Sequence, residues 1–107
     1  MRGSKAAKAM ARGGTAPAGA AARGGATLVQ LRDKVGGTRR QVEQARAVLQ
    51  ALAPFGVPLL INDRVDVALA AGAHGVHLGQ ADLQPADARA LLGEAAIVGA
   101  TVHHAAE

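Results

Sequence analysis

The chain has 107 residues, room for one domain and not for two. Half of them are hydrophobic, yet Phe55 is the only aromatic residue, and Trp, Tyr and Cys are absent. A core must therefore be built from Ala, Val, Leu and Ile. Base-stacking nucleic-acid modules are excluded for want of aromatic platforms, and disulfides, thiol nucleophiles and cysteine zinc sites are excluded with them. No apolar run reaches the ~18 residues that a membrane span needs, so a soluble, cytoplasmic α/β protein is expected. The formal charge of +4 is unevenly placed. Residues 1–25 carry five basic side chains (Arg2, Lys5, Lys8, Arg12, Arg23) and no acid, whereas the rest of the chain sets seven basic residues against eight acidic ones. The basicity belongs to the leader, and a charge argument of this kind implies no specific nucleic-acid partner.

Residues 1–25 hold no Leu, Ile or Val. With nothing large to anchor a buried face, this Ala/Gly-rich leader is expected to be disordered or loosely helical around Lys5–Arg12. From Ala26 the pattern changes. The run Thr27–Leu31 reads as a strand, and Gly36-Gly37 as a loop. Thr38 suits a helix N-cap, with Gln41 completing a capping box. Val42, Ala45, Val48, Leu49 and Leu52 follow at helical spacing until Pro54 and Gly56 stop the helix. Val57–Ile61 is apolar throughout, as strands covered on both faces are. Helix Val65–Ala71 ends at Gly72, strand His74–Leu78 follows, and helix Leu83–Leu92 carries Pro85 in its first turn and Gly93 at its end. Ile97–Ala100 is a fourth strand. The alternation β-α-β-α-β-α-β with short connections predicts a parallel sheet with crossover helices over residues 26–107.

Polar residues collect after the strands. Arg32, Asp33 and Lys34 end the first, Asn62 and Asp63 the second, Gln80 and Asp82 follow the third, and Thr101 and His103 the fourth. In a parallel βα array the C-terminal strand ends share one face, where such proteins place their sites. Two carboxylates, Asp63 and Asp82, suit a hard cation such as Mg²⁺ that prefers oxygen ligands. Arg32 and Lys34 suit a phosphate or diphosphate, and Asn62 can both donate to and accept from a heteroaromatic ring edge. Each residue also has a bland reading. Asp63 precedes a helix and fits an N-cap, Asp82 fits a turn, and Arg32 and Lys34 fit solvated charges beside Asp33. His77, between Val76 and Leu78, reads as a packed interior residue. The four histidines lack zinc spacing.

The stretches GGATLVQLRDK, PLLINDRVDVALAAGAHGVHLGQADL and IVGATVHH, in that order over about Gly24 to His103, resemble the thiamine-phosphate synthase family. That resemblance implies a partial (β/α)₈ TIM barrel of about four parallel strands behind the disordered leader. It implies a transferase of thiamine biosynthesis that couples hydroxymethylpyrimidine diphosphate to a thiazole phosphate, releasing pyrophosphate. Gln30, Leu31, Arg32, Asp33 and Lys34 would bind the pyrimidine diphosphate, with Arg32 and Lys34 as the catalytic charges on its diphosphate. Asn62 would touch the same substrate, Asp63 and Asp82 would hold Mg²⁺, and Thr101 stands where the family usually has a Ser on the diphosphate. His74 replaces the family's usual Asp. The first strand is not recognisable, and the family's thiazole-phosphate loop and late phosphate turns lie beyond the matched stretch. A truncated member, with open sheet edges that favour self-association, is the resulting expectation. Three other readings stand beside it: a thiazole-tautomerase-like barrel, a diphosphate-binding module without turnover, and a basic nucleic-acid binder.

Overall fold

The computed structural model describes residues 8–11, 15–32 and 36–101. Five strands alternate with helices: β1 (Lys8–Ala11), α1 (Thr15–Arg23), β2 (Leu28–Leu31), α2 (Thr38–Leu52), β3 (Leu59–Asn62), α3 (Val65–Ala71), β4 (Gly75–Leu78), α4 (Pro85–Leu92) and β5 (Ile97–Ala100). All neighbouring strands pair in parallel, in the order β1-β2-β3-β4-β5. The sheet is open among the described residues, as part of a barrel is. The four strands expected from the sequence are present, each within a residue or two of its expected bounds, and a fifth precedes them.

That fifth strand corrects the reading of the leader. Lys8–Ala11 pairs with Leu28–Leu31, and α1 buries Ala18 and Ala22 in the common core. Two physical reasons account for it. Parallel pairing satisfies backbone groups whatever the side chains are, and it covers what would otherwise be a free edge of β2. Ala18 and Ala22 lie four residues apart on one helical face. Their small size suits a close approach, so an alanine pair does the anchoring without any larger side chain.

Alternation along the strands divides the sheet into two faces. Val29, Leu31, Leu59, Ile61, Val76 and Leu78 point to the helices and form one cluster with Ala45, Val48, Leu52, Val65, Val67, Ala68 and Ala88. The amphipathic helix α2 supplies its buried stripe at Ala45, Val48 and Leu52. Gly72 closes α3 at φ 76°, donating to the carbonyls of Ala68 and Leu69. At the N-terminal end of β4, His74 Nδ1 accepts the backbone N–H of Leu59 at 2.9 Å.

The start of α2 differs from the expected capping box. Gly37 is the N-cap, with extended backbone, and no side chain caps the helix. Thr38 Oγ1 accepts from Arg64 instead, and Gln41 Nε2 donates to the carbonyl of Gly36. The helix begins one residue earlier than expected, which carries the Thr38 hydroxyl past the helix's own N–H groups and towards α3.

Candidate functional site

The opposite face of the sheet carries polar side chains. Gln30, Leu60 and Gly75 lie in one row across it, and Asn62, His77 and Gly99 in the next row towards the C-terminal ends. Gln30 is 2 % exposed, the only polar residue of the buried set among the described residues. Its Nε2 donates to Asn62 Oδ1 in a short hydrogen bond, and its Oε1 has no partner. A buried, unsatisfied acceptor costs about 1–3 kcal/mol, so this oxygen contributes nothing to the stability of an otherwise apolar strand.

Asp63 follows directly. It is the only non-glycine among the described residues with positive φ, at 72°. The N–H of Arg64 returns to the carbonyl of Asn62 at 2.9 Å, an i→i+2 bond that makes Asp63 the centre of a γ-turn of the rarer, strained hand. Such conformations cost about 1–3 kcal/mol and persist where their surroundings over-determine them. Here the N–H of Asp63 is held by the carbonyl of His77 at 2.8 Å. On the other side, the Arg64 guanidinium reaches Asp66 at 2.9 and 2.7 Å, Thr38 Oγ1 at 2.9 Å and Gln41 Oε1 at 3.4 Å. The hydrogen bond from Arg64, above all, holds the Asp66 carboxyl below the usual carboxylate range. Asp63 is thus a strained turn centre, and Arg64 occupies the N-cap of α3, so the cap reading of Asp63 is not realised.

Asp82 does make its turn. Its Oδ2 accepts the N–H of Gly79 at 2.7 Å, and its own N–H returns to the Gly79 carbonyl at 3.2 Å. The same carboxylate lines a cavity of about 410 Å³ at the C-terminal ends of β4 and β5, with Gln80, Gln84 and Thr101 among its walls. The turn and the site readings of Asp82 are compatible. Arg32 is exposed and borders a water-sized space of about 20 Å³ that it shares with Gln41, Asn62 and Arg64. Leu31 sends its side chain into the core at 5 % exposure, so only its backbone can face a ligand. Asp33 and Lys34 lie outside the described residues, as does His103.

Sequence reasoning missed one member. His77 is half-buried on the open face, with Nε2 at 3.0 Å from Thr101 Oγ1. The signal was available: His77 shares strand parity with Asn62, whereas Val76 and Leu78 face the helices.

The fold and this rim define a class, a parallel βα-barrel architecture with polar groups gathered at the C-terminal strand ends. A family model described as Thiamine monophosphate synthase matches residues 7–107, and the chain belongs to that family. It is 60% identical over 97 residues to the thiamine-phosphate synthase of Xanthobacter autotrophicus, covering 91% of this chain and 46% of that protein. With the Agrobacterium fabrum thiamine-phosphate synthase it shares 58% over 88 residues, covering 82% and 40%. Among solved structures, the thiamine phosphate pyrophosphorylase from Pyrococcus furiosus superposes with TM-score 0.80 at 31% identity, over 90% of this chain and 50% of that one. The chain therefore spans about half the length of the relatives it matches. The match from residue 7 takes in β1 and α1, in keeping with the ordered start of the fold. No helix among the described residues is long and apolar enough to cross a membrane.

Proposed function

We propose that this chain carries the pyrimidine-diphosphate half of a thiamine-phosphate synthase site. The reaction joins hydroxymethylpyrimidine diphosphate to a thiazole phosphate, yielding thiamine phosphate and pyrophosphate. The observation that carries this reading is one rim holding an unsatisfied Gln30 acceptor, the Gln30–Asn62 pair and two carboxylates after adjacent strands. Gln30 Oε1 would accept from an exocyclic amine, and Asn62, with its Oδ1 taken by Gln30, would turn its amide N–H to the ring edge. Arg32 and Lys34, with the backbone around Leu31 and Asp33, would grip the diphosphate, and Thr101 would donate its hydroxyl to it.

Asp63 and Asp82 are the residues that would hold Mg²⁺. The donor set fits: both offer carboxylate oxygens, and the Gly79 N–H engages only Oδ2 of Asp82, which would leave Oδ1 for a cation. No cluster of three or more His, Cys, Asp or Glu occurs among the described residues. Mg²⁺ suits such a site, because it is commonly held by one or two carboxylates together with waters and substrate phosphates. When bound, it would neutralise charge on the departing diphosphate. The diphosphate leaves with the bonding electron pair of its C–O bond, and the thiazole nitrogen lone pair forms the new C–N bond. Arg32, Lys34 and Thr101 would stabilise the leaving charge from fixed positions.

Supplying both substrates and Mg²⁺ to the purified chain tests this, with thiamine phosphate detected by mass spectrometry. Where further strands or a second copy complete the site, the expected outcome is Mg²⁺-dependent product, reduced by about a hundredfold in Asp63→Ala, the scale of a lost electrostatic contact in such sites. A second reading is binding without turnover. It has on its side an open sheet in a chain spanning about half of each relative. Mg²⁺-dependent binding of the pyrimidine diphosphate with no product would select it. Neither product nor binding overturns both.

A further inference from the structure

We propose that His77 is a positioning residue: its ring fixes the Thr101 hydroxyl so that the hydroxyl proton is delivered to an anionic oxygen in the cavity shared with Asp82. The proposal rests on the diphosphate reading of this rim. Both partners are anchored through the backbone. The carbonyl of His77 holds the N–H of Asp63 at 2.8 Å, and the N–H of Thr101 is held by the carbonyl of Leu78 at 2.9 Å. Between them His77 Nε2 and Thr101 Oγ1 stand 3.0 Å apart. The ring has a seat on β5 that a glycine leaves open: a Cβ at Gly99 would lie 3.0 Å from His77 Nδ1. From β4, this residue therefore touches both neighbouring strands: it braces the strained Asp63 at the end of β3 through its backbone, and on β5 it rests on Gly99 and, just after that strand, reaches Thr101 through its ring.

The chemistry follows from proton counting. A hydroxyl has one proton and two lone pairs. If Nε2 accepts, the Thr101 proton is spent on the ring and only lone pairs face the cavity, which repel an anion. If Nε2 carries its proton and donates, Thr101 accepts from His77 and its own proton is available to a phosphate oxygen. Donation from the ring is thus the arrangement that makes Thr101 a diphosphate ligand, and a bare β4–β5 strut would not require it.

The test uses the full chain with Mg²⁺ and inorganic pyrophosphate as the probe, titrated by calorimetry, together with nitrogen-15 NMR of the imidazole at about pH 8, above the ordinary histidine range. With pyrophosphate bound, the ring proton is expected on Nε2. His77→Leu should bind about tenfold more weakly, the scale of a hydrogen bond to a charged group. Thr101→Val should lose a similar factor, and the double variant should be no weaker than either single one. His77→Gln, which can present an N–H near the position of Nε2, should recover affinity to within about twofold. The proposal is overturned by a ring proton on Nδ1, by wild-type affinity in His77→Leu, or by losses that multiply in the double variant. Should His77→Leu not fold, the ring proton and the contrast of Thr101→Ser with Thr101→Val decide, with Ser expected to retain binding. Weaker binding in Asp63→Ala with none lost in His77→Leu removes only the role of His77. A wild-type chain that takes up no pyrophosphate overturns the diphosphate reading and this proposal together.

Discussion

On the helix-covered face, β2, β3 and β4 present Val29, Leu31, Leu59, Ile61, Val76 and Leu78, each at most 5 % exposed. On the other face the same strands, one residue out of step, present Gln30, Leu60, Asn62, Gly75 and His77. The backbone is shared, so the contrast isolates what side chains do. The first face is chosen for area removed from water, at roughly 25 cal/mol per Å². The second keeps a buried amide oxygen without a partner, a glycine tight against the next strand and an imidazole ring, and of these the glycine serves the pairing of β4 with β5. A Cβ on Gly75 would meet the Ile97 carbonyl oxygen at 1.8 Å, so only a glycine fits where β4 pairs with β5 at this position. The apolar core and the polar side chains are thus separated by the two-residue period of the strand.

The largest effect that would sharpen this separation is on the helix side. Leu59→Ala removes a fully buried side chain and should cost about 2–5 kcal/mol, read as a lower midpoint of denaturant unfolding. A loss below about 1 kcal/mol would mean that the helices do not pack on this face as described.

A second prediction exchanges the two roles. Gln30→Leu removes an unpaired buried acceptor, leaving Asn62, only half-buried, to find water. Unfolding stability should stay within about 1 kcal/mol of the parent or rise, while affinity for the pyrimidine diphosphate falls about tenfold or more. A variant that loses stability and keeps affinity would show that Gln30 serves the fold, and the contrast between the faces would break.

The smallest effect belongs to the rim itself. Arg64 lowers the Asp66 carboxyl in the folded state. A lowered folded value contributes stability above the unfolded carboxylate range near pH 3.9, and that contribution is lost as pH falls through the folded value. Asp66 is 61% exposed, so solvent screening holds the effect to about 0.2–1 kcal/mol. Asp66→Asn should therefore cost little near neutral pH and flatten the acid limb of the stability profile, as measured by thermal unfolding between about pH 2 and 6.

Much of this molecule can be read along the chain. The strands at Leu28, Leu59, Gly75 and Ile97, the helices between them and the gathering of Gln30, Arg32, Asn62, Asp63, Asp82 and Thr101 near strand ends follow from apolar runs, turn residues and a parallel βα alternation. β1 and α1 did not follow, because a run such as KAMA owes its strand to the edge of β2 and carries no period of its own. His77 was read as interior packing because its neighbours are apolar, and only its parity with Asn62 across β3–β4 reveals which way it faces.

The sequence by itself determined the architecture and the residue types offered to a ligand, because hydrophobic period, glycine placement and strand-end composition are local properties. Tertiary structure decided three matters that depend on through-space neighbours. It ordered the alanine-rich start by giving it an edge to pair with. It held Asp63 at a positive φ through the His77 carbonyl and the Arg64 turn, a conformation that an isolated Asn-Asp-Arg would rarely keep. It also set the His77 ring on Gly99 within reach of Thr101, across 24 residues of chain. Such contacts come from register between parallel strands, and register is fixed once one face of the sheet is buried, here under the helices.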